Sequence, residues 1–134
     1  MKLALIAFAV AVALGLAWHL AARRRNTTWE VGGLYSILSA EGGFSVAKVL
    51  ALDPGIVSIR IYKQRFPARP ETVQPSQLVV GTIHDKDGFG IGHMPVASST
   101  FASWEPRLIT RAEVLESELD GYRFWKESGG GVFQ

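Results

Sequence analysis

Two histidines and two aspartates lie close together in one glycine-rich stretch, and such a group suits metal binding. His84, Asp85 and Asp87 form the run His-Asp-Lys-Asp, and His93 follows nine residues after His84. Imidazole and carboxylate ligands together suit divalent metals. Zinc would need a further ligand, and a calcium loop counted from Asp85 has Val96 where a bidentate Glu is required. These four residues are therefore weak metal candidates, and a solvated hairpin turn is the favoured interpretation.

Glycine recurs at every second position from Gly88 to Gly92, a pattern that superficially resembles a phosphate-binding loop. Such a loop needs a helix immediately after it, because the helix N-terminus faces the phosphate. The residues that follow, His-Met-Pro-Val, do not predict a helix. The glycines are therefore interpreted as positions that let a hairpin bend, and no cofactor is predicted.

Enzymatic activity has no positive signal elsewhere in the sequence. No serine lies in the Gly-x-Ser-x-Gly context of a nucleophile elbow, and the chain contains no cysteine. The carboxylates of Glu113, Glu116, Glu118 and Asp120 are interpreted as the solvated face of a helix. A metal-dependent or hydrolytic enzyme that uses the loop 84–93 stays as the alternative functional hypothesis.

A basic and aromatic segment over residues 48–69 predicts a binding surface. Its five basic residues stand against Asp53 alone, and strand alternation places Arg60 and Tyr62 together on the face away from the core. Arginine adds bidentate and stacking interactions, so such a face suits phosphate, anionic lipid or an acidic peptide. The alternative is a solvated sheet face whose arginines pair with the acidic C-terminal helix. The candidate partner-binding residues are Arg60, Tyr62, Lys63, Arg65, Phe66 and Arg69.

The sequence pI near 9.2 does not indicate a nucleic-acid partner. Of 14 basic residues, Lys2 and Arg23–Arg25 flank an N-terminal apolar run. The other ten lie within residues 26–134, together with all 12 acidic residues. Residues 26–134 therefore carry a net charge of −2. A nucleic-acid-binding domain gathers positive charge on one face, so no nucleic acid is predicted as a partner.

Residues 3–22 form an apolar run of 20 residues that predicts one transmembrane helix. At a rise of about 1.5 Å per residue, about 20 residues cross a hydrocarbon core of ~30 Å. We therefore predict a membrane anchor over 1–25 that contacts the lipid bilayer through residues 3–22. The alternative is a cleaved signal peptide, with Gly15-Leu16-Ala17 as its small-x-small cleavage site.

The charges on both sides of this run predict its orientation. Lys2 precedes it and three arginines follow it, and the more positive flank tends to stay in the cytoplasm. We therefore predict a single-pass protein of the inner or plasma membrane, with its C-terminal domain in the cytoplasm. A periplasmic or exported domain is the alternative.

Short apolar segments separated by turn residues predict a mainly β domain over 31–127. A linker over 26–30 precedes this domain, and a flexible tail over 128–134 follows it. Asp53-Pro54-Gly55 is a strong turn signal between the second and third strand candidates. The strand candidates are 34–38, 44–52, 56–63, 78–83 and 91–96.

One helix is predicted near the C-terminus. Thr110 and Glu113 have the spacing of a capping box, and Leu115, Leu119 and Tyr122 follow at helical spacing. Five strands in meander order followed by this helix predict a small SH3-like antiparallel half-barrel. An α+β sheet with one helix packed on it is the alternative.

Together these features predict a membrane-tethered, non-enzymatic protein-interaction module. The large aromatic side chains of Phe101, Trp104, Phe124 and Trp125 are expected in the core rather than in a ligand-binding cage. The expected partner is a protein, bound through the basic and aromatic face, with anionic lipid as a second candidate.

Overall fold

The computed structural model describes residues 28–134, and their main element is one five-stranded antiparallel sheet. Its strands are β1 (Gly33–Leu38), β2 (Phe44–Asp53), β3 (Ile56–Ile61), β4 (Ile91–Ala97) and β5 (Arg107–Arg111). They lie in the order β4-β3-β2-β1-β5. These residues also form the helices α1 (Ser98–Ser103) and α2 (Asp120–Ser128), with 3₁₀ turns at Pro75–Gln77 and Glu116–Leu119. The prediction of a mainly β domain with a C-terminal helix is confirmed.

Tight turns join the first three strands, as predicted. Residues 39–43 connect β1 to β2, and Pro54 and Gly55 connect β2 to β3. Gly55 has a φ of 73°, a left-handed conformation that glycine adopts without the steric cost of a Cβ. The long strand β2 pairs with both of its neighbours. These hairpins fix the register, so alternate side chains point to opposite faces of the sheet.

One face of the sheet carries the larger hydrophobic core, here called the first core. Alternation along β3, which places Arg60 and Tyr62 on the other face, puts Val57 and Ile59 on this one, and neither side chain is accessible to solvent. Phe101 of α1 is also fully buried and packs onto this face from above the strands. The members of the first core are Tyr35, Ile37, Ala47, Val49, Val57, Ile59, Val96 and Phe101.

The opposite face of the sheet is covered as well, by a smaller second core. Leu34, Val46 and Tyr62 are its buried members, and neighbouring residues in a strand point to opposite faces. The segment after β3 packs over them with Phe66, Val73, Leu78 and Val80. A side chain that points away from the first core can therefore still be buried, as Leu34 and Tyr62 are.

The strand predicted over 78–83 is not formed. Val79 O accepts a hydrogen bond from Lys63 N–H (2.9 Å), but the segment joins no ladder of the sheet. Gly81 then has a φ of 73°, which ends the extended run. The strand that pairs with β3 is the candidate over 91–96, observed as β4.

The predicted C-terminal helix is confirmed, but its predicted start at Thr110 is wrong. Thr110 lies in β5 and pairs with Leu34, and α2 begins at Asp120. A capping interaction is made further along by Glu118, whose Oε2 accepts a hydrogen bond from Leu115 N–H (2.8 Å). Pairing of β5 with a central strand overrides the local capping signal at Thr110.

Trp29 and Glu30, at the end of the predicted linker, pack on the domain. The Trp29 ring contacts Tyr35 and Phe101 edge-on, with centroid distances of 5.8 and 4.8 Å. Glu30 forms an ion pair with Arg111 of β5. The folded part of the chain therefore includes Trp29.

The predicted anchor over 1–25, with its span 3–22, lies outside the described residues. Within residues 28–134, no helix combines the length and the apolar character needed to cross a bilayer. The membrane anchor therefore stays a prediction.

Candidate functional site

Two residues of the predicted basic face lie against other parts of the domain. Arg60 is half-buried, its Nε donates to Gly92 O (3.2 Å), and its guanidinium pairs with Glu118 (3.5 Å). The predicted exposure of Tyr62 is wrong, because this side chain is only 7% exposed within the second core. That burial raises the pKa of Tyr62 to about 12. The alternation rule treats this face of β3 as open, whereas the segment after β3 covers it.

Two further residues of the predicted face, Phe66 and Arg69, also hold the domain together. Phe66 is half-buried against the second core and exchanges backbone hydrogen bonds with Phe44 (2.8 and 2.9 Å). Arg69 donates to Ser36 Oγ (2.8 Å) and Glu105 O (2.9 Å), and its guanidinium lies 4.6 Å from the Phe44 ring centroid. These contacts tie the loop after β3 to β1 and β2.

Two of the four predicted metal candidates, Asp85 and Asp87, pair with Lys63 instead. Lys63 Nζ lies 3.0 Å from Asp87 Oδ1 and 3.5 Å from Asp85 Oδ2. A hydrogen bond from Thr82 N–H, helped by Lys63, holds the pKa of the Asp85 carboxyl below its ordinary value. His84 is exposed. The described part of the chain contains no group of three or more acidic, cysteine or histidine side chains arranged to hold a metal ion.

His93, the fourth metal candidate, belongs to β4, and its side chain contacts β3 and α2. Its Nε2 is 3.1 Å from Ser58 Oγ, and its ring centroid is 6.1 Å from those of Tyr122 and Trp125. Gly121 permits this approach, because a Cβ there would lie 2.7 Å from His93 Cβ. Burial lowers the pKa of His93. This histidine therefore helps to seat the helix on the sheet.

The open end of the first core is a groove of about 400 Å³. Residues from β1, β4, the loop before β4, the segment after α1 and the C-terminal tail line it together. Several are large apolar side chains that are exposed to solvent: Leu38, Phe89, Ile91 and Phe133. Trp104 is half-buried beside them. This apolar groove is a concave site of the kind that binds ligands.

Gly90 positions the part of the groove that Phe89 and Ile91 form. A Cβ on Gly90 would lie 2.0 Å from Ile61 O, and the Gly90 N–H donates to Val80 O (2.7 Å). Only glycine allows the loop to approach β3 this closely. Gly90 thus serves backbone packing and brings Phe89 to the groove.

Arg65 is the cation of the groove. Its Nη1 donates to Ser45 Oγ (2.7 Å) and Ser39 Oγ (3.1 Å), and Glu41 also lines the groove. Within residues 28–134, Arg65 forms no ion pair with a carboxylate, unlike Arg60 and Lys63. An exposed guanidinium of this kind can bind a carboxylate through two parallel hydrogen bonds.

The groove itself was not predicted from the sequence. Trp104 packs against the first core, as expected, but its ring also faces Phe133 at a centroid distance of 5.9 Å. The expected burial of Phe101 is confirmed, whereas that of Phe124 is wrong, because its side chain is 74% exposed. The one local signal for the groove is Phe89, an aromatic residue between two glycines that no strand alternation would bury.

Comparison of the chain with protein-family models, with curated proteins and with solved structures finds no match. The geometry of the described residues is therefore the basis for a functional proposal.

Proposed function

We propose that this chain is a non-enzymatic protein-interaction module whose groove binds an apolar, carboxylate-bearing segment of a partner protein. The observation that carries the proposal is that Arg65 lies beside an apolar groove and has no carboxylate partner among residues 28–134. We further propose that the sheet is an SH3-like antiparallel half-barrel, because β5 lies beside β1 and the first core is open at one end. The groove is the open end of that half-barrel.

The apolar lining supports a protein partner. Leu38, Phe89 and Ile91 are exposed around one concavity rather than scattered over the surface. Clustered exposed apolar side chains mark interaction sites. Covering them contributes roughly 25 cal/mol per Å² of apolar surface removed from water, and interfaces typically place aromatic and aliphatic anchors in such pockets.

Arg65 gives the groove its selectivity. A carboxylate placed beside the guanidinium gains a charge-assisted hydrogen bond worth roughly 1.5–3 kcal/mol. Apolar surroundings strengthen that bond, because they exclude competing water. A segment without an acidic residue would fill the groove but leave Arg65 to solvent. An apolar segment with Asp or Glu therefore fits the groove best.

The groove also replaces most of the predicted basic face as the proposed contact surface. Arg60, Lys63 and Arg69 already have partners within the domain. Anionic lipid as a partner of that face has correspondingly less support. Arg65 is the predicted residue that the proposal retains.

We also infer that residues 3–22 hold the domain beside a membrane, on its cytoplasmic side. Trp29 is packed on Tyr35 and Phe101, so few residues separate the proposed span from the folded domain. A fluorescent protein fused after Gln134 should fluoresce, and alkaline phosphatase fused there should be inactive. Active phosphatase would place the domain on the other side.

A peptide array tests the proposed function directly. Arrayed 12-residue peptides are probed with the full chain in detergent, and enrichment of aromatic or aliphatic residues together with Asp or Glu is expected. Arg65→Gln should lose the acidic preference and keep the apolar one, whereas Phe89→Ser should weaken both. Arg123→Gln, an exposed arginine of α2, is the matched control. Failure to enrich any peptide, or an acidic preference that survives Arg65→Gln, would contradict the proposal.

A further inference from the structure

The C-terminal tail runs back along the outer edge of β4. Gly129 ends α2 with a φ of 64°, and Trp125 Nε1 donates to Gly130 O (3.1 Å) and Gly131 O (2.9 Å). After these glycines, Phe133 forms an isolated parallel bridge with Val96 of β4. The tail is therefore attached as a very short additional strand.

Two backbone hydrogen bonds make this attachment. Phe133 N–H donates to Pro95 O, and Ala97 N–H donates to Phe133 O, both at 2.8 Å. Pro95 fits this position because proline has no N–H, and an outward-facing edge position loses no ladder bond by its absence. The other side of β4 pairs with β3 along most of its length. The outer edge of β4 is thus able to pair with an extended segment.

The side chain of Phe133 reaches the groove that the proposed function uses. Its ring centroid lies 5.9 Å from that of Trp104, and the side chain is still 51% exposed. Phe133 therefore lines the groove without filling it. A longer segment in the same place would bury more of this apolar surface.

The three consecutive glycines before the tail limit how firmly it is held. Glycine loses more conformational freedom on ordering than any other residue. One bridge and one half-exposed ring must offset that loss, so a competing strand has little to displace. The chain carries its own occupant for this edge, and that occupant is weakly attached.

We propose that the outer edge of β4 is a strand-pairing site for an extended segment of the partner protein, with an aromatic residue where Phe133 now lies. Residues 132–134 occupy this edge in the free chain, and the partner's segment displaces them. Backbone pairing supplies affinity, and the groove beside Trp104 selects the aromatic side chain, as in other cases of strand addition to a sheet edge. This inference rests on the proposed function, because both use the same groove.

The test uses a labelled copy of the tail as the probe. A peptide of sequence Ser-Gly-Gly-Gly-Val-Phe-Gln, residues 128–134, is titrated by fluorescence polarisation against two chains in detergent. One is the full chain, and the other ends at Gly129, which keeps the residue that ends α2. The shortened chain should bind at least tenfold more tightly, because a tethered tail competes at an effective concentration in the millimolar range.

Two altered peptides separate strand pairing from simple apolar contact. A peptide with Ala in place of Phe should bind at least tenfold more weakly, and so should one methylated on the backbone nitrogen of that Phe, which cannot donate to Pro95. In the shortened chain, hydrogen exchange of the Ala97 amide should accelerate, and added peptide should slow it again. An N-methylated peptide that binds as well as the parent would overturn strand pairing.

The remaining outcomes distinguish this inference from the proposed function. Array peptides that bind the full and shortened chains equally would overturn the inference and leave the proposed function standing. No detectable tail-peptide binding at 1 mM to the shortened chain would also overturn it. Array peptides that bind neither chain would contradict the proposed function. A dimer that disappears on shortening would assign the edge to a second copy's tail, against the partner proposed.

Discussion

Lys48 and Arg65 are basic residues of the same sequence segment, yet they occupy opposite situations in the fold. Lys48 is only 4% exposed, and its Nζ donates to Glu113 O (2.7 Å) and to both carboxylate oxygens of Glu118 (2.9 and 3.2 Å). Arg65 is exposed at the groove and donates only to two serine hydroxyls among the described residues. The Lys48 ammonium is bound by groups inside the domain. The Arg65 guanidinium has further N–H groups that donate to none of the described residues.

The difference shows that the number of basic residues in a segment does not locate a binding site. A buried charge must be paired and hydrogen-bonded, because its removal from water is costly. Lys48 meets this condition by fixing the segment before α2 to the sheet, and Arg60 adds a second cation to Glu118. An exposed cation has no such requirement. The residue available to a partner is therefore one that the fold leaves without a carboxylate.

Of the substitutions considered, Glu118→Ala is expected to lower the unfolding free energy the most. It leaves Lys48 buried without its carboxylate, and removal of one partner from a buried ion pair typically costs about 3–5 kcal/mol. Urea-induced unfolding of the full chain in detergent measures the loss. Glu116→Ala, which removes an exposed acidic residue two positions away, should change the unfolding free energy little. Equal effects of the two substitutions would show that the buried network contributes no special stability.

Arg65→Gln should have the opposite profile. We expect the affinity for an acidic groove peptide to fall about tenfold, as loss of one charge-assisted hydrogen bond predicts. The urea midpoint should fall far less than in Glu118→Ala, because Arg65 pairs with no carboxylate of the described residues and donates only to two serine hydroxyls, of which that of Ser45 is buried. Fluorescence polarisation and urea unfolding measure the two quantities. A large loss of stability in this variant would place Arg65 in the same structural class as Lys48.

Acidification should reduce the stability that Glu118 contributes and should leave the contribution of Arg65 unchanged. Burial by itself would raise the pKa of Glu118, but hydrogen bonds from Leu115 N–H and Lys48 outweigh it and leave that pKa below its ordinary 4.5. A lowered folded-state pKa adds stability above the unfolded-state pKa, and this stability is lost as the pH falls through the folded-state value. The difference in unfolding free energy between the unaltered chain and Glu118→Gln should therefore shrink below about pH 4. Arg65→Gln should follow the unaltered chain at every pH.

The smallest effect is expected at His93. Burial lowers its pKa from the ordinary 6.5, so the folded state favours the neutral ring. The stability that this contributes is present above pH 6.5 and is lost as the pH falls from there towards the folded-state pKa. Between pH 7.5 and 5.5, the unaltered chain should lose more unfolding free energy than His93→Gln. An identical loss in both chains would mean that another group titrates.

The local elements could be predicted from residues that are close together in the sequence. Alternation predicted the first three strands and the burial of Val57 and Ile59, and Pro54 with Gly55 predicted the turn between β2 and β3. Helical spacing predicted a helix near the C-terminus, observed as α2. Such features depend on residues within a few positions of one another, so a linear pattern contains them.

Contacts between distant segments set which side chains are free to bind a partner. Lys48 and Glu118 are 70 positions apart, and Arg60 and Glu118 are 58 apart. The groove likewise gathers residues from Ile37 to Phe133. No local pattern encodes these meetings, because they arise when the segment after β3 covers one face of the sheet and the C-terminal tail returns to β4. The sequence therefore predicted Arg65 as one of six candidates, and the fold set it apart by pairing, burying or packing the other five.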